Sequence, residues 1–338
     1  MELAAERYSG GPLASVYLGG GTPSLLTPHQ VQRLVERSAL LWGHQTSCEL
    51  TLEANPGTVT PDALAGFYQA GINRLSLGIQ SLDDRSLQLL ERPHSAAQAR
   101  AAYAEARQAG FRNISLDLIC GLPHQSAEEW QQQLQQVMTL SPEHLSVYSL
   151  SIEEGTPFSR RYADDSPELP DDDQSAAMLE QADQLLVAAG YEHYEIANYA
   201  RPGHRSRHNS GYWHREGYLG LGPAAHSLLL QGWGLRCSNP SDHQQWAAQI
   251  TAGQLAHRDL EQLTRQQALA EQLFLGLRMA DGISPDECRE QYGAEAWQRH
   301  DQTIAQLLQQ GLLHERNGRV ALTQRGLLLS NQIFVRFL

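Results

Sequence analysis

The sequence contains no lysine, so all 25 of its basic residues are arginine. This absence excludes Schiff-base lysine chemistry, pyridoxal-phosphate attachment and a Walker-type phosphate loop, because each needs an amine at one fixed position. Long apolar runs are also absent, and no stretch approaches the ~20 apolar residues that cross a bilayer. Residues 1–7 have neither the basic start nor the apolar core of a signal peptide. We therefore expect a cytoplasmic protein with no integral membrane segment.

Cysteine is scarce and dispersed. The four thiols, at Cys48, Cys120, Cys237 and Cys288, lie far apart and form no CxxC pair. Spacing of this kind in a chain of 338 residues is typical of reduced cytoplasmic cysteines rather than of a disulfide framework.

Basic residues are fewer than acidic ones. The sequence has 38 acidic residues against 25 basic ones, a formal net charge of −13. Such a charge repels nucleic acid and anionic lipid, so we expect neither as a general partner. With 41% hydrophobic and 19% charged residues, the composition is that of a globular protein.

From residue 15 onward, short apolar strands alternate with helical segments of 10–15 residues. Strands are predicted at 15–21, 49–53, 74–80, 114–119, 145–152 and 194–197, and helices at 27–42, 61–70, 95–109, 127–140 and 172–189. Strict alternation predicts βαβ units and a parallel sheet. Five or six units in this length favour an α/β fold with a complete or partial barrel, whose chemistry lies where the strands end.

The pattern changes after about residue 230. Thr264 and Gln267 form a capping box, Ser284-Pro285 begins a second helix, and a third runs from Ala294 to Gln310. Asn317-Gly318 then predicts a hairpin. Helices followed by a hairpin resemble a winged helix, but 9 arginines against 10 acids in residues 255–338 favour a packing or partner domain over a DNA-binding one. The predicted domains are a barrel at 1–230, a connector at 231–254 and the winged-helix-like domain at 255–338.

Polar residues follow several predicted strands. A glycine-rich turn, Gly19-Gly20-Gly21-Thr22, can bring the backbone close to a ligand, although tight-turn geometry is the commoner cause of such a run. Glu53 and Asp117 are two acids on different strands that would face one barrel mouth, where they suit hydroxyl and ammonium groups. General acid–base catalysis by the pair, or simple capping of the loops, are alternatives that the sequence leaves open.

Three histidines, His204, His208 and His214, fall within eleven residues among arginines and aromatics. This mixture could hold a metal or a porphyrin, because histidine ligates iron, arginine pairs with propionates and aromatic rings stack. For any single histidine a surface or hydrogen-bonded role is the alternative.

Five motifs taken together resemble one known family. In order they are Gly-Gly-Gly-Thr-Pro-Ser at 19–24, Leu-Glu-Ala-Asn-Pro-Gly at 52–57, Asn-Arg-Leu-Ser-Leu-Gly-Ile-Gln-Ser at 73–81, Asp-Leu-Ile-Cys-Gly-Leu-Pro at 117–123 and His-Asn-x-x-Tyr-Trp at 208–213. The same series occurs in HemW-type haem chaperones, which belong to the radical S-adenosylmethionine (SAM) superfamily and resemble the oxygen-independent coproporphyrinogen III oxidases. The resemblance runs from about residue 15 to the C-terminus. It implies an α/β fold, a partial (β/α)6 TIM-like barrel followed by a C-terminal helical domain.

The resemblance also implies a set of site residues. The SAM contacts would be Gly20, Gly21, Thr22, Glu53, Gln80, Arg92 and Asp117. The His-Asn-x-x-Tyr-Trp segment distinguishes the chaperone branch from the oxidase branch and makes His208 the candidate haem-iron ligand.

One departure from the family concerns its iron–sulfur cluster. The superfamily holds a [4Fe–4S] cluster on three cysteines spaced CxxxCxxC after the first strand, and this sequence has no such motif. Its first strand corresponds to the family's second. Either an N-terminal strand and cluster loop precede this sequence, or this is a natural form without the cluster. We expect the former, because loss of a barrel strand exposes a sheet edge.

The resemblance implies a haem chaperone that binds haem and SAM and delivers haem to acceptor proteins, for example respiratory ones. Without the cluster ligands, reductive cleavage of SAM is not expected of the sequence as it stands. An oxygen-independent coproporphyrinogen III oxidase of porphyrin biosynthesis and an inactive paralogue are the alternatives.

Overall fold

The computed structural model describes residues 1–8, 10–162 and 166–338. The chain forms two compact units. The barrel unit comprises Leu13–Ala39 and His44–Arg205, and the C-terminal unit comprises Met1–Pro12, Leu40–Gly43 and Ser206–Leu338. The domain boundaries predicted from sequence, at residues 230 and 255, stay a prediction.

The described residues form twelve strands in three sheets. In chain order they are β1 (Leu13–Leu18), β2 (His44–Ala54), β3 (Arg74–Gln80), β4 (Ile114–Cys120), β5 (His144–Ser149), β6 (Glu192–Glu195), β7 (Asn198–Ala200), β8 (His226–Leu229), β9 (Leu235–Ser238), β10 (Arg258–Gln262), β11 (Leu313–Arg316) and β12 (Arg319–Leu322).

The described helices are α1 (Glu2–Arg7), α2 (Pro28–Trp42), α3 (Pro61–Gln69), α4 (Asp84–Leu89), α5 (Ala96–Ala109), α6 (Ala127–Leu140), α7 (Pro157–Arg161), α8 (Asp172–Ala188), α9 (Arg207–Trp213), α10 (His243–Thr251), α11 (Arg265–Gly276), α12 (Pro285–Tyr292), α13 (Ala294–Gln309), α14 (Gln324–Leu328) and α15 (Ser330–Phe334). Short 3-10 helices lie at Pro23–Leu25, Pro56–Thr58 and Val335–Phe337.

The barrel unit is built on a seven-stranded sheet that curls into a half-barrel, with strand order β1-β2-β3-β4-β5-β7-β6. Strands β1 to β5 pair in parallel, which confirms the βαβ alternation. Strand β7 departs from it, because it pairs antiparallel with both β5 and β6. Only Ile196 and Ala197 join β6 to β7, and so short a link can make a hairpin but not a parallel crossover.

Helix ends in the barrel unit are specified locally. The side chains of Ser95, Ser126 and Asp171 each begin a helix with a reciprocal capping box. Gly110 ends α5 in the left-handed region, at φ 112°. These signals explain why the predicted helix bounds agree with the observed ones to within a residue or two.

The core of the barrel unit lies between the outer face of the sheet and its helices. Leu52, Leu75 and Leu116 are fully buried on that face, and Trp130 of α6 donates its indole N–H to the Met178 carbonyl of α8 at 2.9 Å. Alternate residues of the same strands face the inside of the half-barrel, where polar side chains replace the aliphatic ones.

The C-terminal unit contains the predicted helices α11, α12 and α13, followed by the β11–β12 hairpin. Asn317 and Gly318 both have positive φ, 53° and 71°, as the predicted hairpin turn requires. A three-stranded antiparallel sheet, β10-β9-β8, and helix α10 also belong to this unit, and the sequence analysis assigned part of that region to a connector. Across the described residues, no helix combines the length and the apolarity needed to cross a membrane.

His144 on β5 gives the barrel unit a pH-dependent stability. Its ring nitrogens lie 2.8 Å from the Ser115 hydroxyl and 2.9 Å from that of Tyr194. Burial, and then the charges of Arg74 and His204, hold the pKa of His144 well below its usual 6.5. The folded state therefore keeps the imidazole neutral while the unfolded chain takes up a proton, so the free energy of unfolding falls as the pH drops below about 6.5.

We predict that His144→Gln lowers the free energy of unfolding at pH 7.5 by about 1–2 kcal/mol, since its two hydrogen bonds are replaced imperfectly. Between pH 7.5 and pH 5.5, the free energy of unfolding should fall by less in His144→Gln than in the unsubstituted protein. Urea unfolding at both pH values measures this. The exposed His29→Gln serves as control and should keep the full acid sensitivity; equal acid sensitivity in His144→Gln would contradict the assignment.

Candidate functional site

The glycine-rich turn after β1 is fastened to β2 by one carboxylate. The Gly20 backbone N–H donates to Glu53 Oε2 at 3.0 Å, and the Tyr17 hydroxyl donates to Oε1. Glu53 lies one residue before the end of β2, as predicted for a strand-end acid. Both oxygens of Glu53 therefore accept hydrogen bonds from the protein itself, so the carboxylate holds the turn in place and also contributes a negative charge.

Two features of this turn require glycine. A Cβ at Gly19 would lie 2.3 Å from the Tyr17 ring, closer than real Cβ atoms approach their neighbours. Gly20 and Gly21 have φ of 75° and 53°, in the left-handed region. A Cβ at either of them would meet nothing within 4 Å, so the turn presents an open, exposed backbone. Thr22 follows and starts the 3-10 helix Pro23–Leu25.

Asp117 lies inside the half-barrel rather than at a strand end. It is the fourth of the seven residues of β4, which corrects the sequence-based expectation. The Ser76 hydroxyl donates to its two carboxylate oxygens at 3.4 and 3.2 Å. Burial raises the pKa of Asp117, hydrogen bonds from Ser146 and Ser76 lower it, and the negative charge of Glu53 raises it again, for a net increase.

A polar row crosses the concave face of the sheet. Glu53 is paired in register with Ser76, Ser76 with Ser115, and Ser115 with His144. Tyr148 on β5 belongs to the same electrostatic cluster: burial, and then the charge of Asp117, raise its pKa to about 12. The sequence analysis missed these partners. A signal for them was present in the sequence. Strands of a parallel sheet are usually apolar on both faces, so polar residues at every second position of such a strand indicate a polar inner face.

Gln80 and Arg92 lie around the end of β3. Gln80 has φ 59°, and its side chain turns back over Gly78, where a Cβ would lie 3.0 Å from Gln80 Nε2 and 3.3 Å from the Asn55 amide oxygen. Arg92 is half-buried, and desolvation lowers its pKa. Burial, and to a lesser extent the charge of Arg92, lower the pKa of His94, whose Nε2 lies 3.1 Å from the Ile79 carbonyl.

The predicted SAM residues of the barrel unit therefore fall into two neighbourhoods. Gly20, Glu53 and Asp117 share one hydrogen-bonded and electrostatic cluster, together with Tyr17. Gln80 and Arg92 lie at the end of the next strand. Glu153 is exposed in the loop after β5. We refer to the first group, with Gln80 and Arg92, as the rim.

The middle of the histidine-rich segment, which contains His208, forms helix α9 in the C-terminal unit. No helix was predicted here from the sequence, but the Ser206 hydroxyl accepts the Asn209 N–H at 3.2 Å and caps a helix start. His208 and Tyr212, four residues apart, lie on one helix face with ring centroids 4.7 Å apart in an edge-on arrangement. Tyr218 packs edge-on against Tyr212 at 4.6 Å.

The three histidines of this segment do not converge. His204 belongs to the barrel unit, with Nδ1 3.2 Å from the Pro202 carbonyl, and His214 is exposed at the end of α9. Among the described residues, no group of three or more His, Cys, Asp or Glu side chains could hold a metal ion. His208 packs against the Tyr212 ring.

A buried ion pair anchors the end of α9. Arg215 has φ 57°, and its guanidinium donates to Glu271 of α11 at 2.7 Å and to the Trp233 carbonyl at 2.5 Å. Both side chains of the Arg215–Glu271 pair are nearly inaccessible. Arg278 lies over the Trp213 ring, 4.3 Å from its centroid. Nothing in the sequence analysis singled out these anchoring residues.

Comparison with known proteins connects both regions to one family. The Radical SAM superfamily matches residues 1–137 and the HemN C-terminal domain matches residues 263–329. A protein of Bacillus subtilis named heme chaperone HemW is 34% identical over 327 residues, 96% of this chain and 86% of that protein. A protein of Mycobacterium tuberculosis with the same name is 34% identical over 336 residues, 98% of this chain and 83% of that protein.

The chain belongs to the HemW family. The family resemblance drawn from the five sequence motifs is thereby confirmed. A solved structure, coproporphyrinogen III oxidase (HemN) from Escherichia coli, superposes with a TM-score of 0.83 over 98% of this chain and 79% of that one, at 24% identity. At that identity the likeness establishes the fold alone.

Membership of the HemW family and the radical SAM superfamily implies SAM and a [4Fe–4S] cluster. The cysteines of this sequence do not fit the cluster. They lie on β2, β4, β9 and α12, two in each unit, and all four are buried. Burial raises the pKa of Cys120 to about 12 and that of Cys288 to about 11, which keeps both as thiols rather than the thiolates that bind iron.

The raised pKa of Asp117 predicts a gain in stability when its charge is removed. The folded state disfavours the ionised form of Asp117, so ionisation lowers the free energy of unfolding. This loss begins as the pH rises through the pKa of the unfolded state and is complete above the pKa of the folded state. We expect Asp117→Asn to increase the free energy of unfolding at pH 7.5 and to make no difference at pH 3. Chemical denaturation at both pH values measures the effect, with Glu105→Gln on α5 as the matched control. A less stable Asp117→Asn protein at pH 7.5 would contradict the electrostatic picture.

Proposed function

We propose that this protein is a haem chaperone, which binds haem and passes it to haem-accepting proteins. The observation that carries the proposal is the alignment, over almost the whole chain, with relatives that are named heme chaperone HemW. The acceptors would be proteins that need haem, with respiratory proteins as one class.

Haem is the cargo of this function, and His208 is the proposed ligand of its iron. A neutral imidazole is a common axial ligand, and when haem is bound its iron supplies the coordination bond that holds it. The protein supplies orientation: Ser206 fixes the start of α9, and Tyr212 packs against the His208 ring. The Trp213 indole N–H has no hydrogen-bond acceptor among the described residues, and it is a donor that a propionate could satisfy.

SAM is proposed to bind at the rim of the barrel unit. The turn at Gly20 and Gly21 offers exposed backbone, and Asp117 offers carboxylate oxygens that suit ribose hydroxyls. Glu53 and Asp117 repel each other, and the sulfonium and ammonium charges of SAM would relieve that repulsion. Gln80 and Arg92 extend the polar lining beside β3, and Thr22 extends it beside the glycine turn.

We predict that titration with ferric haem shifts the Soret band of the purified protein, and that His208→Ala weakens haem binding at this site at least tenfold by removing the iron ligand. Difference spectra at pH 7.5 measure both. His214→Ala, at the exposed end of the same helix, is the control and should bind as the unsubstituted protein does. No Soret shift in the unsubstituted protein would overturn the proposed function.

We also predict that SAM raises the melting temperature and that Asp117→Asn weakens SAM binding about tenfold, since a charge-assisted hydrogen bond is worth about 1.5 kcal/mol. Isothermal titration calorimetry measures the dissociation constant. The same substitution should stabilise the unliganded fold, so weaker binding cannot be attributed to unfolding. Unchanged SAM affinity in Asp117→Asn, with Glu105→Gln as reference, would remove Asp117 from the site.

A further inference from the structure

A chain of hydrogen bonds runs through the barrel unit and ends at Asp117. The Tyr194 hydroxyl lies 2.9 Å from His144 Nε2, and His144 Nδ1 lies 2.8 Å from the Ser115 hydroxyl. The Ser115 hydroxyl in turn lies 3.4 Å from Asp117 Oδ1. These residues belong to β6, β5 and β4. A buried tyrosine is thereby connected, through two other side chains, to a carboxylate of the rim.

Only the Asp117 end of this chain is accessible. Tyr194 is 0% exposed, and Ser115 and His144 are each 1% exposed, whereas Asp117 is half-buried. Polar groups that are shielded from solvent have to satisfy one another. The hydrogens of the two hydroxyls and of the imidazole ring therefore take fixed directions.

The charge of Asp117 decides those directions. The low pKa of His144 keeps its ring neutral, so one ring nitrogen donates a hydrogen bond and the other accepts one. With the proton on Nδ1, the ring donates to Ser115, accepts from Tyr194, and leaves the Ser115 hydroxyl free to donate to Asp117. With the proton on Nε2, the Ser115 hydroxyl has to donate to the ring instead. A hydrogen bond to an ionised carboxylate is about twice as strong as a neutral one, which favours the first arrangement.

Serine hydroxyls from three strands surround the Asp117 carboxylate. Ser76 on β3 donates to both oxygens, Ser146 on β5 also hydrogen-bonds to the carboxyl group, and Ser115 donates from β4 itself. The oxygen of Ser115 has the His144 ring nitrogen behind it. Because that oxygen accepts from the ring, the Ser115 hydroxyl cannot rotate away from the carboxylate without losing a bond.

We infer that Ser115 and His144 are positioning residues for the ligand of the rim. His144 orients Ser115, and Ser115 holds the Asp117 carboxylate in one orientation while its remaining lone pairs are left for the ribose hydroxyls of SAM. A carboxylate that is already oriented loses less freedom when a ligand binds, so affinity increases although neither residue touches the ligand. The inference rests on the proposed binding of SAM at the rim and deepens it.

The direction of the chain is tested by NMR spectroscopy of the unsubstituted protein at pH 7.5, with nitrogen-labelled histidine. The ring signals of His144 are assigned by their loss in His144→Gln. We expect the chemical shifts of a neutral ring that carries its proton on Nδ1. A proton on Nε2 would overturn the inference, because Ser115 could not then donate to Asp117.

Isothermal titration calorimetry with SAM tests the positioning role in the full chain. We expect Ser115→Ala to raise the dissociation constant about fivefold, the order of one hydrogen bond. Thr51→Val is the matched control and should bind SAM as the unsubstituted protein does. Thr51 lies two residues before Glu53 on β2 and hence on the same face, and its buried hydroxyl has no hydrogen-bond partner among the described residues. Near-ultraviolet circular dichroism checks that each variant is folded.

A double-mutant cycle separates positioning from a general structural effect. If Ser115 acts through Asp117, Ser115→Ala should change the dissociation constant by less than about twofold in an Asp117→Ala background. An equal loss in both backgrounds would overturn the positioning role. Unweakened binding by Ser115→Ala, beside weak binding by Asp117→Ala, would overturn this inference and leave the proposed SAM site standing. No SAM bound by the unsubstituted protein would overturn both.

Discussion

Two carboxylates placed inside the half-barrel are the constraint on which the rest of the barrel unit depends. Removing an ion from water costs several kcal/mol unless hydrogen bonds and charges replace the hydration. Here Tyr17 and the Gly20 N–H serve Glu53, and serine hydroxyls serve Asp117. This need explains the glycine turn, because the path that brings the Gly20 N–H to the carboxylate has positive φ at Gly20 and Gly21 and leaves no room for a Cβ at Gly19. It also explains why the concave face is polar where a structural sheet would be aliphatic.

The C-terminal unit solves a similar problem with a different arrangement. Arg215 and Glu271 form a nearly inaccessible pair, and burying such a pair brings little net stability compared with an apolar contact. Its value is in fixing geometry: the pair ties Arg215, two residues after the end of α9, to helix α11. Arg278 over Trp213 holds the last residue of the same short helix. A helix of seven residues would fray without such supports, and His208 would lose its orientation.

The sequence was most informative where structure is decided locally. Pro28, Ser126 and the Asn317–Gly318 turn each specify a helix end or a hairpin through near neighbours, and the observed bounds follow them. Features that depend on contacts between distant parts of the chain could not be predicted from the sequence. The insertion of β7 between β5 and β6 and the position of Asp117 in mid-strand depend on pairing between segments far apart in sequence. The site residues that the motifs predict stay a prediction, and only the fold shows that both oxygens of Glu53 accept hydrogen bonds from Tyr17 and the Gly20 N–H.

The electrostatic repulsion between Glu53 and Asp117 costs stability, and it also bears on the charge of the ligand proposed for the rim. Burial and the negative charge of Glu53 both raise the pKa of Asp117, so a ligand that brings positive charge would be favoured there and an anionic one disfavoured. In the C-terminal unit the buried carboxylate of Glu271 is instead paired with Arg215, so its negative charge is balanced within the protein. The two units therefore treat a buried carboxylate differently: serine hydroxyls serve Asp117 in the barrel unit, and an arginine serves Glu271 in the C-terminal unit.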